Sequence, residues 1–219
     1  MQDHTPDLFA APNANMAHEP LAAGAWLLHG YALEVAAAVC AAVELINRAA
    51  PFRHLRTPGG FRMSVAMTNC GELGWVSDRK GYRYERFDPL SGAPWPAMPQ
   101  VFAKLARAAA EASDFPNFAP DACLINRYEP GARLTLHQDK DERDFKSPIV
   151  SVSLGLPAVF LFGGNARSER QRRIPLRHGD VVVWGGPARL RHHGVLPIKE
   201  GRHEVVGAHR LNLTFRRAS

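Results

Sequence analysis

The sequence predicts a mainly β protein, a β-sandwich or jelly roll that carries helices on one of its sheets. Most of the chain beyond residue 55 is predicted as short strands separated by turns rich in glycine, proline and aspartate. Helical periodicity occurs only twice, and the helices do not alternate with the strands. A doubly wound parallel sheet needs that alternation, so the pattern favours a sandwich.

Each helix is predicted by apolar residues spaced three and four positions apart. The first covers residues 33–50 before a proline, and the second covers residues 101–113 after a proline-rich stretch that a helix start tolerates. Residues 1–20 show no period and are expected to form a flexible leader ahead of one domain over residues 21–219. The predicted strands are Phe61–Asn69, Ala122–Tyr128, Leu134–His137, Ile149–Leu154, Val159–Phe162, Val181–Trp184 and Arg210–Arg216.

Composition excludes several classes of protein. With 46% hydrophobic and 22% charged residues among 219, the chain is typical of a globular protein. No apolar run approaches the roughly 18 residues of a membrane-spanning helix, and the start has no signal-peptide pattern, which predicts a soluble cytoplasmic protein without membrane contact. Cys40, Cys70 and Cys123 are odd in number and far apart, which indicates free thiols rather than disulfides or structural zinc.

The positive charge is concentrated near the end of the chain. Of 27 basic and 21 acidic residues, residues 166–219 contain 12 and 4, a net of +8, which leaves 15 and 17 for residues 1–165, a net of −2. Such a basic region favours a polyanionic partner such as nucleic acid. A basic surface that is merely solvated is the alternative, because charge alone does not identify a partner.

One spacing suggests a metal site. His137 and Asp139 are two residues apart, so an extended chain directs both side chains to one side. His193 is the candidate for a third ligand, distant in sequence. Two histidines and one carboxylate suit iron(II), because three coordination positions stay open for oxygen and a co-substrate. Zinc binding and a purely hydrogen-bonded histidine are the alternatives.

The strand near the C-terminus alternates polar and apolar residues without a break. Arg210, Asn212, Thr214 and Arg216 form its polar face. On an outer strand that face would meet water, whereas in a cavity its two arginines would hold a dicarboxylate such as a 2-oxo diacid. In the same way, Asn126 and Tyr128 share a face with Leu124 and are either satisfied core groups or donors to a small acid; these two lie on another predicted strand.

Two further clusters bear on nucleic acid. Trp75, Tyr82 and Tyr84 flank a basic turn, and Arg83 lies between the two tyrosines, so aromatic faces for stacking alternate with charges for phosphate. Ordinary surface turns give the same pattern. Asp141 lies on the face of Asp139 and is interpreted either as a solvated loop residue or as a group that contacts the edge of a base.

Taken together, the motifs resemble those of the AlkB-type DNA dealkylases. Residue type, spacing and order agree with the bacterial members over roughly residues 55–217. The motifs are Met63–Gly71, Trp95–Pro99, Asn126–Tyr128, Pro130–Gly131, Leu134–Asp141, Ile149–Gly155, Gly179–Gly186, His193–Gly194 and Arg210–Arg216. Adjacent residues of a strand face opposite ways, so only one of His192 and His193 can join His137. The glycine that follows His193 matches the motif of the family and therefore implies His193.

The resemblance implies a double-stranded β-helix (jelly-roll) core with N-terminal helices and a nucleotide-recognition lid within about residues 55–98. The core would hold Fe(II), and 2-oxoglutarate and O2 would be co-substrates. The implied metal ligands are His137, Asp139 and His193. The residues implied to hold 2-oxoglutarate are Asn126, Arg127, Tyr128, Arg210, Asn212 and Arg216, and those implied to bind the substrate are Trp75, Tyr82, Arg83, Tyr84, Asp141 and Arg167.

The resemblance also implies the reaction. An N-methyl group of N1-methyladenine or N3-methylcytosine would be hydroxylated and lost as formaldehyde, with succinate and CO2 as co-products, in a direct reversal of DNA damage. The base must leave the duplex to be reached. We therefore expect a monomeric cytoplasmic demethylase of single- or double-stranded DNA, with RNA as an alternative substrate and no obligate protein partner. The rival hypotheses are a metal-dependent nucleic-acid hydrolase and a non-catalytic nucleic-acid binder.

Overall fold

The computed structural model describes residues 18–219, in which strands far outnumber helices. Two α-helices, α1 (Ala36–Ala49) and α2 (Gln100–Glu111), account for the helical patterns. The strands are β1 (His18–Ala22), β2 (Ala25–Leu28), β3 (Arg53–Arg56), β4 (Arg62–Gly71), β5 (Gly74–Asp78), β6 (Gly81–Glu85), β7 (Ala122–Tyr128), β8 (Leu134–His137), β9 (Ile149–Gly155), β10 (Ala158–Phe162), β11 (Arg172–Leu176), β12 (Val181–Trp184), β13 (His193–Val195) and β14 (Arg210–Arg216).

The strands form two facing sheets and one hairpin. The major sheet has the order β1-β2-β12-β9-β14-β7-β4-β3, and the minor sheet has the order β11-β10-β13-β8. Among the described residues, strands β5 and β6 pair only with each other; we call them the lid hairpin because they lie in the region where the lid is predicted. Every pair of neighbouring strands in these sheets is antiparallel, as a sandwich or jelly roll requires. The mainly β fold class is therefore confirmed.

Both helices pack on the outer face of the major sheet. Val39 and Val43 of α1 are fully buried, as are Phe102 and Ala109 of α2, and they share one core cluster with apolar residues of β7, β9, β12 and β14. Phe102 meets Phe215 edge to face at a centroid distance of 6.0 Å. The predicted helix layer on one sheet is thus present, and it leaves the inner face of the major sheet for the minor sheet.

The polar side of β14 lies on the inner face of the major sheet. Strand β14 lies between β9 and β7 at the centre of the major sheet, and all seven of its residues are buried. Leu213 and Phe215 face the helices. Because side chains alternate along a strand, Arg210 and Arg216 face the minor sheet. The polar face therefore borders the space between the sheets and not bulk water.

Several predicted boundaries need correction. Residues 18–20 belong to β1, which pairs with β2, so the predicted leader is shorter than residues 1–20; residues 1–17 lie outside the described residues. Residues 33–35 form a 3₁₀ turn before α1. Within residues 55–98, where the lid is predicted, β4 belongs to the major sheet and β5 and β6 form the separate hairpin.

Seven strands were not predicted from the sequence. They are β1, β2, β3, β5, β6, β11 and β13. Strand β13 has only three residues and β11 contains a proline, so neither gives a clear period-two pattern. No helix in the described part of the chain is both long and apolar enough to cross a bilayer.

Candidate metal and co-substrate site

Three side chains with metal-binding atoms meet at the minor sheet. His137 is the last residue of β8 and His193 the first of β13, and the antiparallel register sets them directly opposite each other. Asp139 follows two residues after His137. The candidate ligand atoms of the three residues all lie within 4.8 Å of one another. The structure therefore brings together the three ligands that the sequence suggested.

Gly194 permits the close approach of the two strands that carry the histidines. A Cβ atom at this position would lie 2.8 Å from the carbonyl oxygen of Leu134 and 3.2 Å from the backbone nitrogen of Leu136. Any side chain would therefore push β13 away from β8. The neighbouring His192 does not join the cluster; its Nδ1 lies 3.4 Å from the carbonyl oxygen of Gly164.

Hydrogen bonds orient both imidazoles. The Nδ1 atom of His137 lies 2.9 Å from the carbonyl oxygen of Thr135, and that of His193 lies 3.0 Å from the carbonyl oxygen of Arg191. A carbonyl oxygen only accepts, so each Nδ1 carries the proton and each Nε2 keeps its lone pair. The two Nε2 atoms lie 3.6 and 3.7 Å from the carboxylate oxygens of Asp139. This is the arrangement by which proteins present histidine to a metal.

The charge states also suit a divalent cation. Burial opposes ionisation of Asp139, but Arg216, His193 and His137 outweigh it and hold the pKa of this carboxyl well below its usual range. Burial and the proximity of His137 lower the pKa of His193 to about 3. At neutral pH the cluster thus offers a carboxylate and a neutral imidazole. A divalent metal ion needs both of these forms.

A cavity of about 780 Å³ connects this cluster to the inner face of the major sheet. Its floor consists of polar side chains of β7, β9 and β14, namely Asn126, Tyr128, Ser151, Arg210, Asn212, Thr214 and Arg216. Such a concave site, with few but convergent polar groups, is typical of small-molecule binding. It lies where the alternation of β14 and β7 directs the predicted co-substrate residues.

The surroundings of Arg210 show whether the cavity floor suits a dicarboxylate. It is 1% exposed, its Nη2 donates to Ser153 Oγ at 2.9 Å, and its guanidinium lies 5.0 Å from the centre of the Tyr128 ring. Its Nε and Nη1 atoms, like Oδ1 of Asn126, are buried without a hydrogen-bond partner among the described residues. Buried donors left unpaired are costly, and a carboxylate would satisfy the guanidinium bidentately. The floor therefore fits 2-oxoglutarate.

Two of the other predicted co-substrate residues, Asn212 and Arg216, already make hydrogen bonds within the protein. The Asn212 amide donates to Ser151 Oγ at 2.8 Å and to the carbonyl oxygen of Val152 at 3.0 Å. Arg216 donates from Nε and Nη2 to Oδ2 of Asp139, at 3.0 and 2.6 Å. Arg216 therefore links the floor of the cavity to a candidate metal ligand.

The lid hairpin holds two aromatic residues at the mouth of the cavity. The rings of Trp75 and Tyr82 stack at a centroid distance of 5.6 Å with an interplanar angle of 12°. Trp75 Nε1 donates to Asp141 Oδ2 at 2.8 Å. The amide of Asn69 on β4 both donates to and accepts from the backbone of Trp75, each at 3.0 Å. The side chains of Trp75, Tyr82 and Asp141 thus border one opening.

Two predicted residues face away from the cavity, which corrects the sequence analysis. Arg127 lies between Asn126 and Tyr128 on β7 and projects to the outer face, where its guanidinium lies 5.0 Å from the centre of the Phe52 ring. Arg83 lies between Tyr82 and Tyr84 on β6 and projects away from the stacked aromatic pair. There it pairs with Asp78 and Glu85. In both cases the alternation of a strand excludes the middle residue from a face that its neighbours share.

Of the two remaining predicted substrate residues, Arg167 lines the cavity and Tyr84 does not. Tyr84 does not border the cavity; its hydroxyl donates to Glu142 Oε1 at 2.7 Å. Burial raises the pKa of Tyr84 well above its usual value, so the hydroxyl keeps its proton. Arg167 lines the cavity mouth and donates to the carbonyl oxygen of Leu136 at 2.8 Å.

Sequence reasoning missed Asn69, Glu142, Ser153 and Arg189. Glu142 and Arg189 form a buried ion pair with 3.1 Å between Oε2 and Nη2. Glu142 stands in an acidic run that resembles a solvated loop, and Arg189 lies 47 residues away, so no local pattern links them. Asn69 and Ser153 occupy inward positions of predicted strands, and the alternation there would have identified both as buried polar groups.

Matches with known proteins decide the family. The model of the 2OG-Fe(II) oxygenase superfamily matches residues 24–216. The alpha-ketoglutarate-dependent dioxygenase AlkB of Escherichia coli (strain K12) is 55% identical over 212 residues, which are 97% of this chain and 97% of that protein. The chain belongs to the AlkB-type 2OG-Fe(II) oxygenases. As such it is a 2-oxoglutarate-dependent dioxygenase.

Two further matches agree with this assignment. The AlkB protein of Salmonella typhimurium (strain LT2) is 56% identical over 201 residues, which are 92% of this chain and 93% of that protein. The solved structure of OsALKBH1 superposes with a TM-score of 0.81 at 30% identity and covers 92% of this chain and 100% of that chain. The predicted family, the jelly-roll core, Fe(II), 2-oxoglutarate and O2 are thereby confirmed.

The geometry is compatible with distinct roles for the residues around the cavity of this dioxygenase. His137, Asp139 and His193 would hold Fe(II), which together with 2-oxoglutarate activates O2 in this superfamily. Arg210 would receive a carboxylate of 2-oxoglutarate. Burial of the floor excludes water from that contact and strengthens it. Trp75 and Tyr82 border the opening through which a substrate reaches the cluster.

Proposed function

We propose that this dioxygenase oxidatively demethylates N1-methyladenine and N3-methylcytosine in alkylated DNA. The products would be the unmodified base, formaldehyde, succinate and CO2, so the reaction reverses damage without cutting the strand. The observation that carries the proposal is the junction of three parts in one cavity: the His-Asp-His cluster, the unpaired guanidinium of Arg210 and the stacked aromatic lid.

The lid supports a base as the substrate. Trp75 and Tyr82 offer large aromatic faces, and base–aromatic stacking tolerates any base. Asp141 lies within hydrogen-bond distance of Trp75, so its carboxylate is next to the plane in which a stacked base would lie. N1-methyladenine and N3-methylcytosine each carry a positive charge and an amino group beside the methylated nitrogen. A carboxylate at this position favours both features.

The opening also supports a base that has left its helix. A base inside a duplex cannot reach a metal cluster at the bottom of a cavity, so it must rotate out of the stack. Methylation of the pairing edge lowers that cost, and a single strand has no pairing to lose. We therefore infer a preference for single strands over duplexes. Arg167 at the mouth is the group that would meet the phosphate of the extruded nucleotide.

The free thiols are consistent with the cytoplasm as the site of action. Cys40, Cys70 and Cys123 are free, and Cys70 and Cys123 are opposite each other on β4 and β7. Reduced cysteines are typical of proteins that work in a reducing compartment.

One reconstitution tests the proposed function. The apoprotein is loaded anaerobically with Fe(II) and a methylated oligonucleotide, and O2 is admitted with or without 2-oxoglutarate. We expect formaldehyde and the unmodified base, detected by mass spectrometry, only when 2-oxoglutarate is present. Turnover without 2-oxoglutarate would reject the proposal, and strand cleavage would favour the metal-dependent hydrolase.

The same assay ranks the substrates. Single-stranded DNA, duplex DNA and RNA that carry the same modified base are compared at equal concentration. We expect single-stranded DNA to give the highest kcat/KM. A higher value for RNA would transfer the proposal to RNA repair. Binding of the oligonucleotides without any turnover would favour the non-catalytic binder.

A further inference from the structure

Glu142 is a buried carboxylate that the chemistry described so far does not use. It is 6% exposed and lies three residues beyond Asp139. Its Oε1 accepts the hydroxyl of Tyr84 at 2.7 Å and lies 3.3 Å from Nε of Arg216. Its Oε2 accepts Nη2 of Arg189 at 3.1 Å. Two hydrogen-bond donors, Tyr84 and Arg189, and one ion-pair partner, Arg216, therefore converge on one carboxylate from three separate parts of the chain.

Each of these three partners of Glu142 contacts or belongs to a different part of the site. Tyr84 lies on the lid hairpin, directly opposite Trp75 in the register of β5 and β6. Arg216 lies at the end of β14 and also holds the carboxylate of Asp139. Arg189 donates from Nη1 to the backbone carbonyl oxygen of Asp139 at 2.8 Å. Glu142 thus joins the lid hairpin to Arg216 on the floor and, through Arg189, to the loop that carries Asp139.

The charges show why this position holds a carboxylate. Arg189 and Arg216 are both buried, with side chains 3% and 7% exposed. Asp139 alone would have to neutralise Arg216 while also serving the metal. With Glu142 present, two guanidinium groups face two carboxylates, and the plane of Arg216 is fixed from two directions. A neutral side chain would leave Arg189 buried without a counter-ion and Arg216 held from one direction only.

We propose that Glu142 is a positioning residue that couples the binding of a nucleotide under the lid to the binding of 2-oxoglutarate on the floor. A nucleotide stacked on the lid hairpin stabilises the hairpin position in which Tyr84 donates to Glu142. That contact holds Glu142 on Arg216, and Arg216 then has the orientation that the co-substrate meets. Coupling of this kind is reciprocal, so 2-oxoglutarate also tightens nucleotide binding. The inference rests on the proposed function for the identity of the nucleotide.

A binding experiment without turnover tests the coupling. The protein is loaded with Mn(II), and 2-oxoglutarate is titrated calorimetrically in the absence and presence of a single-stranded methylated oligonucleotide. The ratio of the two dissociation constants is the coupling factor. We expect a factor of about five or more for the wild-type chain, the lower range of known couplings. A factor of one would overturn the proposal.

Two variants locate the coupling, and one serves as a matched control. Tyr84→Phe removes only the hydroxyl on Glu142, so we expect the factor to fall to about one while 2-oxoglutarate binds within about twofold of wild type when no oligonucleotide is present. Glu142→Gln is expected to remove the coupling and also to weaken 2-oxoglutarate binding. Arg83→Gln changes a side chain of the same strand that faces away from both Glu142 and the cavity, where it pairs with Asp78 and Glu85, so the factor should stay at the wild-type value.

The outcomes separate this inference from the proposed function. An unchanged factor in Tyr84→Phe would show that Glu142 only neutralises buried arginines. If Glu142→Gln does not fold, the comparison of Tyr84→Phe with Arg83→Gln still decides the question. Failure of the wild-type chain to bind 2-oxoglutarate at all would count against the proposed site itself. Demethylation in the Fe(II) assay with no coupling in the Mn(II) titration would reject the coupling role of Glu142 and leave the proposed function intact.

Discussion

The floor of the cavity and the lid above it owe their geometry to different parts of the structure. The floor lies on β14, β7 and β9, where every strand has a partner on both sides and backbone register sets the direction of each side chain. The lid is a two-stranded hairpin to which no further strand in residues 18–219 is hydrogen-bonded. Side-chain contacts position it, among them those of Asn69 with the Trp75 backbone, Trp75 with Asp141 and Tyr84 with Glu142. Ser77 also donates to the carbonyl oxygen of Arg56, and Trp95 donates to that of Glu85.

Because of this difference, substitutions on the floor and in the lid should have different effects. A substitution on the floor keeps the backbone in place and alters only the chemistry that the side chain provides. A substitution in the lid removes one of a small number of contacts and shifts the hairpin with it. Floor variants should therefore affect metal and 2-oxoglutarate selectively, whereas lid variants should affect nucleotide binding.

The largest effect is expected when a candidate metal ligand is removed. His193→Ala leaves two ligands, so we expect kcat/KM for demethylation to fall by about 100-fold or more and Mn(II) affinity to fall in parallel. His192→Ala is the matched control, since its imidazole is adjacent in sequence but lies outside the cluster. Equal losses of Mn(II) affinity in both variants would contradict the ligand assignment.

The second effect concerns the co-substrate and separates binding from folding. Arg210→Met fills the same volume without the buried unpaired Nε and Nη1, so the free energy of unfolding of the apoprotein should not fall. The KM for 2-oxoglutarate should rise by about 10- to 150-fold, as expected for roughly 1.5–3 kcal/mol from hydrogen bonds to a charged group. Thermal stabilisation by added 2-oxoglutarate should disappear.

A different result for Arg210→Met would reassign the arginine. If affinity for methylated DNA fell while the KM for 2-oxoglutarate stayed at the wild-type value, Arg210 would serve the phosphate backbone. Its burial under Tyr128 and its contact with Ser153 favour the small acid instead.

The contrast between floor and lid also explains what the sequence could predict. The alternation of residues 210–216 predicts that Arg210 and Asn212 share a face, and it needs only the central position of β14 to direct them inward. The same alternation, applied to β7 and β6, excludes Arg127 and Arg83. Periodicity is a local property, so it survives in the folded chain wherever a strand keeps its regular extended backbone.

Contacts between distant segments could not be predicted in this way. Glu142 and Arg189 are 47 residues apart, and Tyr84 and Glu142 are 58 residues apart. Each is an ordinary polar residue of a turn or an edge until the sheets pack. Strand β13 was missed because three residues carry no period, although His193 itself was identified by its motif.

The third prediction tests the lid. Trp75→Ala removes one stacking face, so kcat/KM for a methylated oligonucleotide should fall by about 5- to 150-fold, the equivalent of roughly 1–3 kcal/mol for one base–aromatic stack. The dissociation constant for 2-oxoglutarate without nucleic acid should stay within about twofold of wild type. Trp75→Phe keeps an aromatic ring but loses the bond to Asp141, so its loss should be smaller. A larger change in 2-oxoglutarate binding than in nucleotide binding would contradict the division between floor and lid.

The smallest effect concerns the end of β9, beside Arg210 on the floor. Gly155 donates its N–H to Nδ1 of His178 at 3.0 Å, and the His178 ring stacks on His203 at 4.2 Å. Burial and His203 lower the pKa of His178 below its usual value, while Glu204 opposes them. Below about pH 6.5 the unfolded chain therefore binds this proton more readily than the folded chain, and stability falls as pH falls. The measurement is the Tm at pH 8 and pH 5.5. The His178→Asn variant, whose amide oxygen can accept the same N–H, should lose less Tm over that interval than the wild-type chain. An equal loss in the two proteins would show that this histidine does not control the acid sensitivity of the floor.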